Sequence, residues 1–139
     1  MKNIYLIMLV LVSIAGSNVF AADAESGKKL SVQEEDLSTQ CDLEARNALI
    51  HEDVTRVEKV CMQAIDQIGK SHPGQEVLIN PIMNLAFSYT LTGQFDKATT
   101  LYDRARKIRE KLYGADSTQL EEIDNMIKRQ EEMKKHRKQ

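Results

Sequence analysis

The stretch NLAFSYTLTGQFDKATTLYDRA, residues 84–105, decides how the rest of this chain is read. Large apolar residues recur in it at helical steps on both sides of Thr92-Gly93, which has the composition of a tight turn. Small residues (Ala86, Ala98 and Ala105) stand among Leu85, Tyr89, Phe95, Leu101 and Tyr102. Two helix axes approach to about 8–10 Å only where the side chains at the crossing are small. The stretch therefore predicts two antiparallel helices packed through alanine, with the larger residues filling the gaps around the contact.

The helical pattern continues in both directions. Upstream, Leu43, Ala45, Ala48, Leu49 and Ile50 form an apolar stripe, interrupted at His51-Glu52-Asp53 and resumed by Val54, Val57, Val60, Cys61, Ala64, Ile65 and Ile68. Gly69 is expected to stop that second helix, and Asn80-Pro81 to open a third. Downstream, a fourth helix is expected over about Phe95 to Leu112, closed by Tyr113-Gly114. Asp116-Ser117 can cap a fifth, which carries Leu120, Ile123, Met126 and Ile127. No strand pattern of any length occurs, so the expected class is all-α.

Sliding the chain along itself by 41 residues brings Ala45 onto Ala86, Val54 onto Phe95, Val60 onto Leu101, Cys61 onto Tyr102 and Ala64 onto Ala105. The same shift carries Ile82 onto Ile123, Leu85 onto Met126 and Ala86 onto Ile127. A fixed period of this length marks stacked helical hairpins, here two hairpins and the first helix of a third. Leu85-Ala86, Tyr89, Gly93, Phe95, Ala98, Tyr102 and Ala105 together resemble a tetratricopeptide repeat. The long second helix ending in RARKIREKLYGADS, residues 104–117, and Asn84-Leu85-Ala86 resemble the longer variety found in kinesin light chains. The resemblance covers residues 79–120 well and residues 38–78 weakly, the latter lacking a Gly turn. It implies about two and a half αα-hairpin repeats in a short right-handed solenoid, and a protein-interaction scaffold in place of an enzyme.

The 139-residue chain opens with Lys2 followed by an unbroken apolar run, Ile4 to Val12, and a small-residue segment ending Val19-Phe20-Ala21. This is the pattern of a secretory signal peptide over residues 1–21, cleaved after Ala21 or Ala22. The run is shorter than the roughly 20 residues a membrane span requires. The expected location is periplasmic or secreted, with no membrane span after cleavage. Residues 22–35 are small, polar and aperiodic and read as a flexible linker. Residues 36–139 are then the repeat domain, with residues 117–137 as its capping helix. Residues 128–139 carry six Lys and Arg against Glu131 and Glu132, without an aromatic residue for bases to stack on, so no nucleic-acid role is expected. That tail reads as the wet outer face of the cap, and its last residues, 134–139, as dispensable for stability.

Chemistry-bearing motifs are sparse. His51, His72 and His136 have no ligand spacing on a shared helix face, and no Gly-rich phosphate loop or nucleophile elbow occurs. Catalytic residues, metals and cofactors are not expected. An oxidising compartment and an even cysteine count favour a Cys41–Cys61 disulfide. The two cysteines lie ten residues either side of residue 51, as Ala45 and Val57 lie six either side, so they face each other across the first hairpin.

The expected site is a groove along the first helices: Arg46, Asn84, Phe87, Asn125 and Lys128. The 41-residue shift puts Arg46, Phe87 and Lys128 in one register and Asn84 and Asn125 in another. Carboxylate-gripping members of the family place an Asn where Asn84 stands, but Asp42 and Glu121 occupy the places of their Lys residues. The expected ligand is therefore an internal peptide or helix of another protein, bearing acidic residues that meet Arg46 and Lys128. The alternatives are an envelope-complex subunit or weak homodimer that uses the ends of the stack, and an inhibitor or immunity-type protein.

Overall fold

A computed structural model describes residues 29–51 and 53–137. The leader and the first half of the expected linker lie outside the described residues. Among the described residues five α-helices follow in order: α1 Val32–His51, α2 Thr55–Ser71, α3 Ile79–Leu91, α4 Phe95–Tyr113 and α5 Glu121–His136. Short 3-10 turns, Glu76–Leu78 and Thr118–Leu120, lead into α3 and α5. No strand occurs among the described residues. Helices α1 and α2 form one antiparallel hairpin, α3 and α4 a second, and α5 packs on the second as the first half of another.

The polypeptide turns helical at Val32, four residues before the expected linker ends, because Ser31 and Glu34 form a capping box. The Ser31 backbone N–H and hydroxyl both donate to Glu34 Oε2 at 2.8 Å, and the Glu34 N–H donates to Ser31 Oγ at 3.3 Å. Helix α2 also outruns its expected stop at Gly69 and ends at Ser71. Pro81 sits in the first turn of α3, where its missing N–H removes no helical bond. Ser117, expected to cap the fifth helix, instead caps the 3-10 turn that leads into it, its Oγ accepting from the Gln119 N–H at 3.2 Å; Leu120, at the N-cap of α5, makes no side-chain cap bond.

Small residues make the crossings. Ala45, Ala48, Ala64, Ala86, Ala98 and Ala105 are all buried, with Ile82, Leu85, Tyr102 and Ile123 filling the space around them. Residues superposed by the sequence shift occupy equivalent places: Cys61 with Tyr102, Ala64 with Ala105 and Ile82 with Ile123 are each fully buried. At the second hairpin's turn Gly93 takes φ +76°, and a Cβ there would lie 1.5 Å from the Arg137 guanidinium. Gly114 takes φ +90° just past α4, and its N–H donates to Glu110 O at 2.8 Å.

Side chains fix the hairpins to one another. Cys41 and Cys61 are joined by a disulfide, with 4.7 Å between their Cα atoms. At one end of the first hairpin Glu34 accepts the Ser71 hydroxyl, and at the other Arg56 pairs with Glu44 at 3.0 Å. Arg109, nine-tenths buried, donates to Glu76 at 3.1 Å, to Gln119 O at 3.0 Å and to Glu122 at 2.9 Å, joining both 3-10 turns to α4. The last helix is held over the second hairpin by buried Gln130, whose Nε2 donates to Phe95 O and to Thr99 Oγ1. Its final turns are held as well, contrary to the dispensable tail read from sequence. Lys134 meets Asp96 at 3.0 Å, and Arg137 donates to Leu91 O at 3.1 Å while lying over the Phe95 ring.

Candidate functional site: the face of the first helices

Helix α1 buries small apolar residues and, apart from Leu37, which packs partly buried against the core, leaves its large ones mostly exposed. Cys41, Ala45 and Ala48 are buried, whereas Leu43, Leu49 and Ile50 are 56%, 53% and 75% exposed. The stripe expected to enter the core is thus split. At about 100° per residue, Leu43 and Ile50 lie about 160–180° round the helix from Cys41, on the side turned away from α2. Val32, 84% exposed, joins them on that side. The 41-residue shift carries Leu43 onto Asn84 and Asn125, and Ile50 onto Leu91 and Glu132. The same outward registers therefore continue along α3 and α5, and in α1 they hold large apolar side chains.

Two cavities flank α3. One, of about 380 Å³, is bounded by Ala48 and Leu49 of α1, Ser88 and Leu91 of α3, and Arg137. The other, of about 420 Å³, lies between α3 and α5, with Phe87, Met126 and Met133 as its apolar walls and Arg129, Glu132 and His136 as its polar ones. Tyr102 of α4 also lines it. Burial pushes the Tyr102 phenol above its ordinary range, so it stays a neutral hydroxyl.

The five expected groove residues are all on first helices, but their environments differ. Phe87 is half-buried and forms a wall of the larger cavity. Asn84 is half-buried, and its amide donates to Asp42 Oδ1 at 3.4 Å. Arg46 is exposed and paired with the same Asp42 at 2.7 Å. Asp42 therefore joins Arg46 of α1 to Asn84 of α3 and partly neutralises the cation that was expected to meet an acidic ligand. Asn125 and Lys128 are exposed on α5 and line neither cavity. Leu43 and Ile50 were missed as surface-lining residues, whereas Met126 and Met133, read from their helical spacing as packing or groove lining, do line the cavity. The shift alone assigns Leu43 and Ile50 to the outward registers.

Beside this face, Tyr89 donates its hydroxyl to Glu58 at 2.5 Å, and Lys97 lies 4.8 Å from the Tyr89 ring centre and 3.5 Å from Glu58. Burial and then the Glu58 bond raise the Tyr89 phenol. This trio links α2, α3 and α4. The structure also gathers one of the three histidines into a polar cluster that its sequence spacing did not reveal. His72, fully buried, places Nδ1 2.8 Å from Ser71 Oγ and 3.6 Å from Glu34. Ser, His and carboxylate are the ingredients of a nucleophilic triad, but here the serine hydroxyl donates its hydrogen bond to the carboxylate, and Glu34 and His72 are buried. The hydrogen bond from Ser71 first, then those from Ser31, hold the Glu34 carboxyl down at about 2. The cluster clamps the N-terminus of α1 to the C-terminus of α2.

Residues 82–119, the α3–α4 hairpin and its following turn, match the family model described as tetratricopeptide repeat. That hairpin is a tetratricopeptide repeat, and repeats of this family act as protein-interaction modules. Comparison with curated proteins gives no match, and comparison with solved structures gives none.

Proposed function

We propose that this protein is an exported adaptor that seats a peptide or helix of an envelope or secreted partner against its first helices. The observation that carries the reading is the coincidence of exposed Leu43 and Ile50 with the Phe87-walled cavity beside α3. A partner segment with apolar anchors at helical spacing fits such a surface, one anchor entering the cavity between α3 and α5. Apolar contact leads in this version, because Arg46 is already paired with Asp42. Arg129 and Lys128 remain to favour an acidic flank.

Photo-crosslinking tests the site directly. A benzoylphenylalanine at Phe87 should capture a protein that one at Lys111, on the opposite side of the second hairpin, does not. Phe87→Ala should then weaken that partner by about tenfold or more with the fold intact. Capture from the ends of the stack in place of Phe87 would sink the groove reading. The exposed Val32, Leu43 and Ile50 favour one competitor, a homodimer through α1; a concentration-dependent doubling of mass in sedimentation would support it. Export rests on the leader pattern, and a mature N-terminus at Ala22 or Asp23 would verify it.

A further inference from the structure

The structure assigns a second docking surface to the opposite side of the molecule, formed by α2 and α4, and we propose that it takes an acidic, amphipathic helical segment of a partner protein. Its charge is the first observation. Helix α4 carries six Lys and Arg residues, and those facing other helices are neutralised: Lys97 by Glu58, Arg106 by Glu110 and Asp124, and Arg109 by Glu76 and Glu122. Arg104, Lys107 and Lys111 are exposed and form no ion pair among the described residues. They share one stripe about 180° round from the buried face of α4, and span about 10 Å along it.

Shape is the second observation. A cavity of about 540 Å³ runs along that stripe from Gly74 past Ile108 to Lys111. Another, of about 430 Å³, lies between Met62, Ile65 and Gly69 of α2 and Leu101 of α4. Arg104 is common to the two linings, so the cavities are neighbours. Met62, Ile65, Leu101 and Ile108 supply their apolar lining, and Arg104, Lys107 and Lys111 a cationic rim. Asp66, on the α2 side, is already bound to Lys70 at 2.7 Å, and Asp103 is the remaining acid at the edge.

The occupant follows from these two properties. A simple anion would use the rim and leave the apolar lining wet, whereas a helix with Leu or Met on one stripe and Glu or Asp at i, i+3 and i+7 beside it meets both. Arg104, Lys107 and Lys111 stand at that same spacing. Single-stranded nucleic acid would need stacking aromatics, and neither cavity has one in its lining.

The test uses the full mature chain and three probes. These are a fluorescent amphipathic helix of Leu and Glu about 18 residues long, its Leu/Lys counterpart, and phosphatidylglycerol vesicles. The acidic helix should bind, weaken with added salt, and shift amide resonances at Met62, Leu101 and residues 104–111. Arg104→Glu with Lys107→Glu and Lys111→Glu should weaken it about tenfold or more, three exposed pairs each adding a small factor. The triple Gln variant, which adds no repulsion within α4, should lose most of the same affinity. Phe87→Ala should leave this binding unchanged, which separates the proposal from the groove on the first helices. Equal binding of the Leu/Lys helix, vesicle binding that outcompetes the acidic helix, resonance shifts confined to α1, α3 and α5, or self-association through this face would each overturn it.

Discussion

Reducing the Cys41–Cys61 bridge should destabilise the first hairpin far more than any exposed contact does. The bond closes a loop with a sequence separation of 20. Chain entropy for about 20 residues gives about 11 cal/mol/K, or about 3 kcal/mol at 25 °C, removed from the unfolded state. A domain of this size has a total stability of about 5–15 kcal/mol, so the bridge supplies a large fraction of it. The transition should fall by about 10–15 °C at roughly 4 °C per kcal/mol. Both sulfurs are fully buried, so the protein must be reduced in denaturant and refolded before measurement. Urea transitions of the oxidised and reduced wild type isolate the loop term, because no atom of the core is removed. Cys41→Ala with Cys61→Ala should cost about 1–2 kcal/mol beyond reduction, as two buried sulfurs are lost. Hydrogen exchange should locate the damage in α1 and α2 and spare α3 and α4. Coincident oxidised and reduced transitions, or alkylation of both thiols in the unreduced protein, would refute the reasoning.

Glu34→Gln should flatten stability in acid. Its carboxyl is held down to about 2 from 4.5, so its contribution is complete above pH 4.5 and is lost as pH falls through 2; urea midpoints across that window measure the difference. Arg109→Ala should cost about 2–3 kcal/mol, below the range for a fully buried pair because Glu76 and Glu122 are 43% and 68% exposed, and Arg109→Lys should recover only part of it in thermal melts. Deleting residues 134–139 should lower stability by about 1 kcal/mol through loss of the Lys134–Asp96 and Arg137–Leu91 contacts. Deleting residues 118–139 removes buried Leu120, Ile123 and Gln130 and should cost several times more in the same melts. Equal losses would show that α5 does not cap the second hairpin.

The second hairpin was legible because its signals agree. Leu85, Ala86, Gly93, Ala98, Tyr102 and Ala105 are each where local helix chemistry and repeat register both put them. The beginning of α1 was equally legible but missed: Ser31 followed by Glu34 is a capping box written in the sequence, obscured by the small polar residues before it. The inward face of α1 was harder. Its apolar residues are distributed round the whole helix, so a 3.6-residue period alone cannot choose between the Cys41–Ala45–Ala48 side and the Leu43–Ile50 side. Size decides it, since only the small side permits the close approach to α2. The clamp of Glu34 on Ser71 was illegible for another reason: it joins residues far apart in the chain, and spacing does not specify which partner the carboxylate takes. The pair of Arg46 with Asp42 stands at i, i+4 on one helix and could have been read from that spacing.

The first hairpin's construction bears on why its surface is free to bind. A helix gains stability by burying large side chains, at about 25 cal/mol for each Å² of apolar surface, and α1 leaves Val32, Leu43 and Ile50 mostly in water. Its buried apolar residues are two alanines and a cysteine, which bury little area each, and Leu37 is only partly buried beside them. The deficit is offset covalently and electrostatically, by the Cys41–Cys61 bond, the Glu34–Ser71 clamp and the Arg56–Glu44 pair. Those devices hold α1 against α2 without using Leu43 or Ile50. The second hairpin shows the contrasting solution: Leu85 and Tyr102 are buried, and no cysteine is present. Adding bulk to the inward side of α1, by Ala45→Leu for instance, would push the helices apart and strain the disulfide's short Cα separation of 4.7 Å. A hairpin that leaves Leu43 and Ile50 in water is thus held by small residues inside and a cross-link between its helices, and this sequence has both.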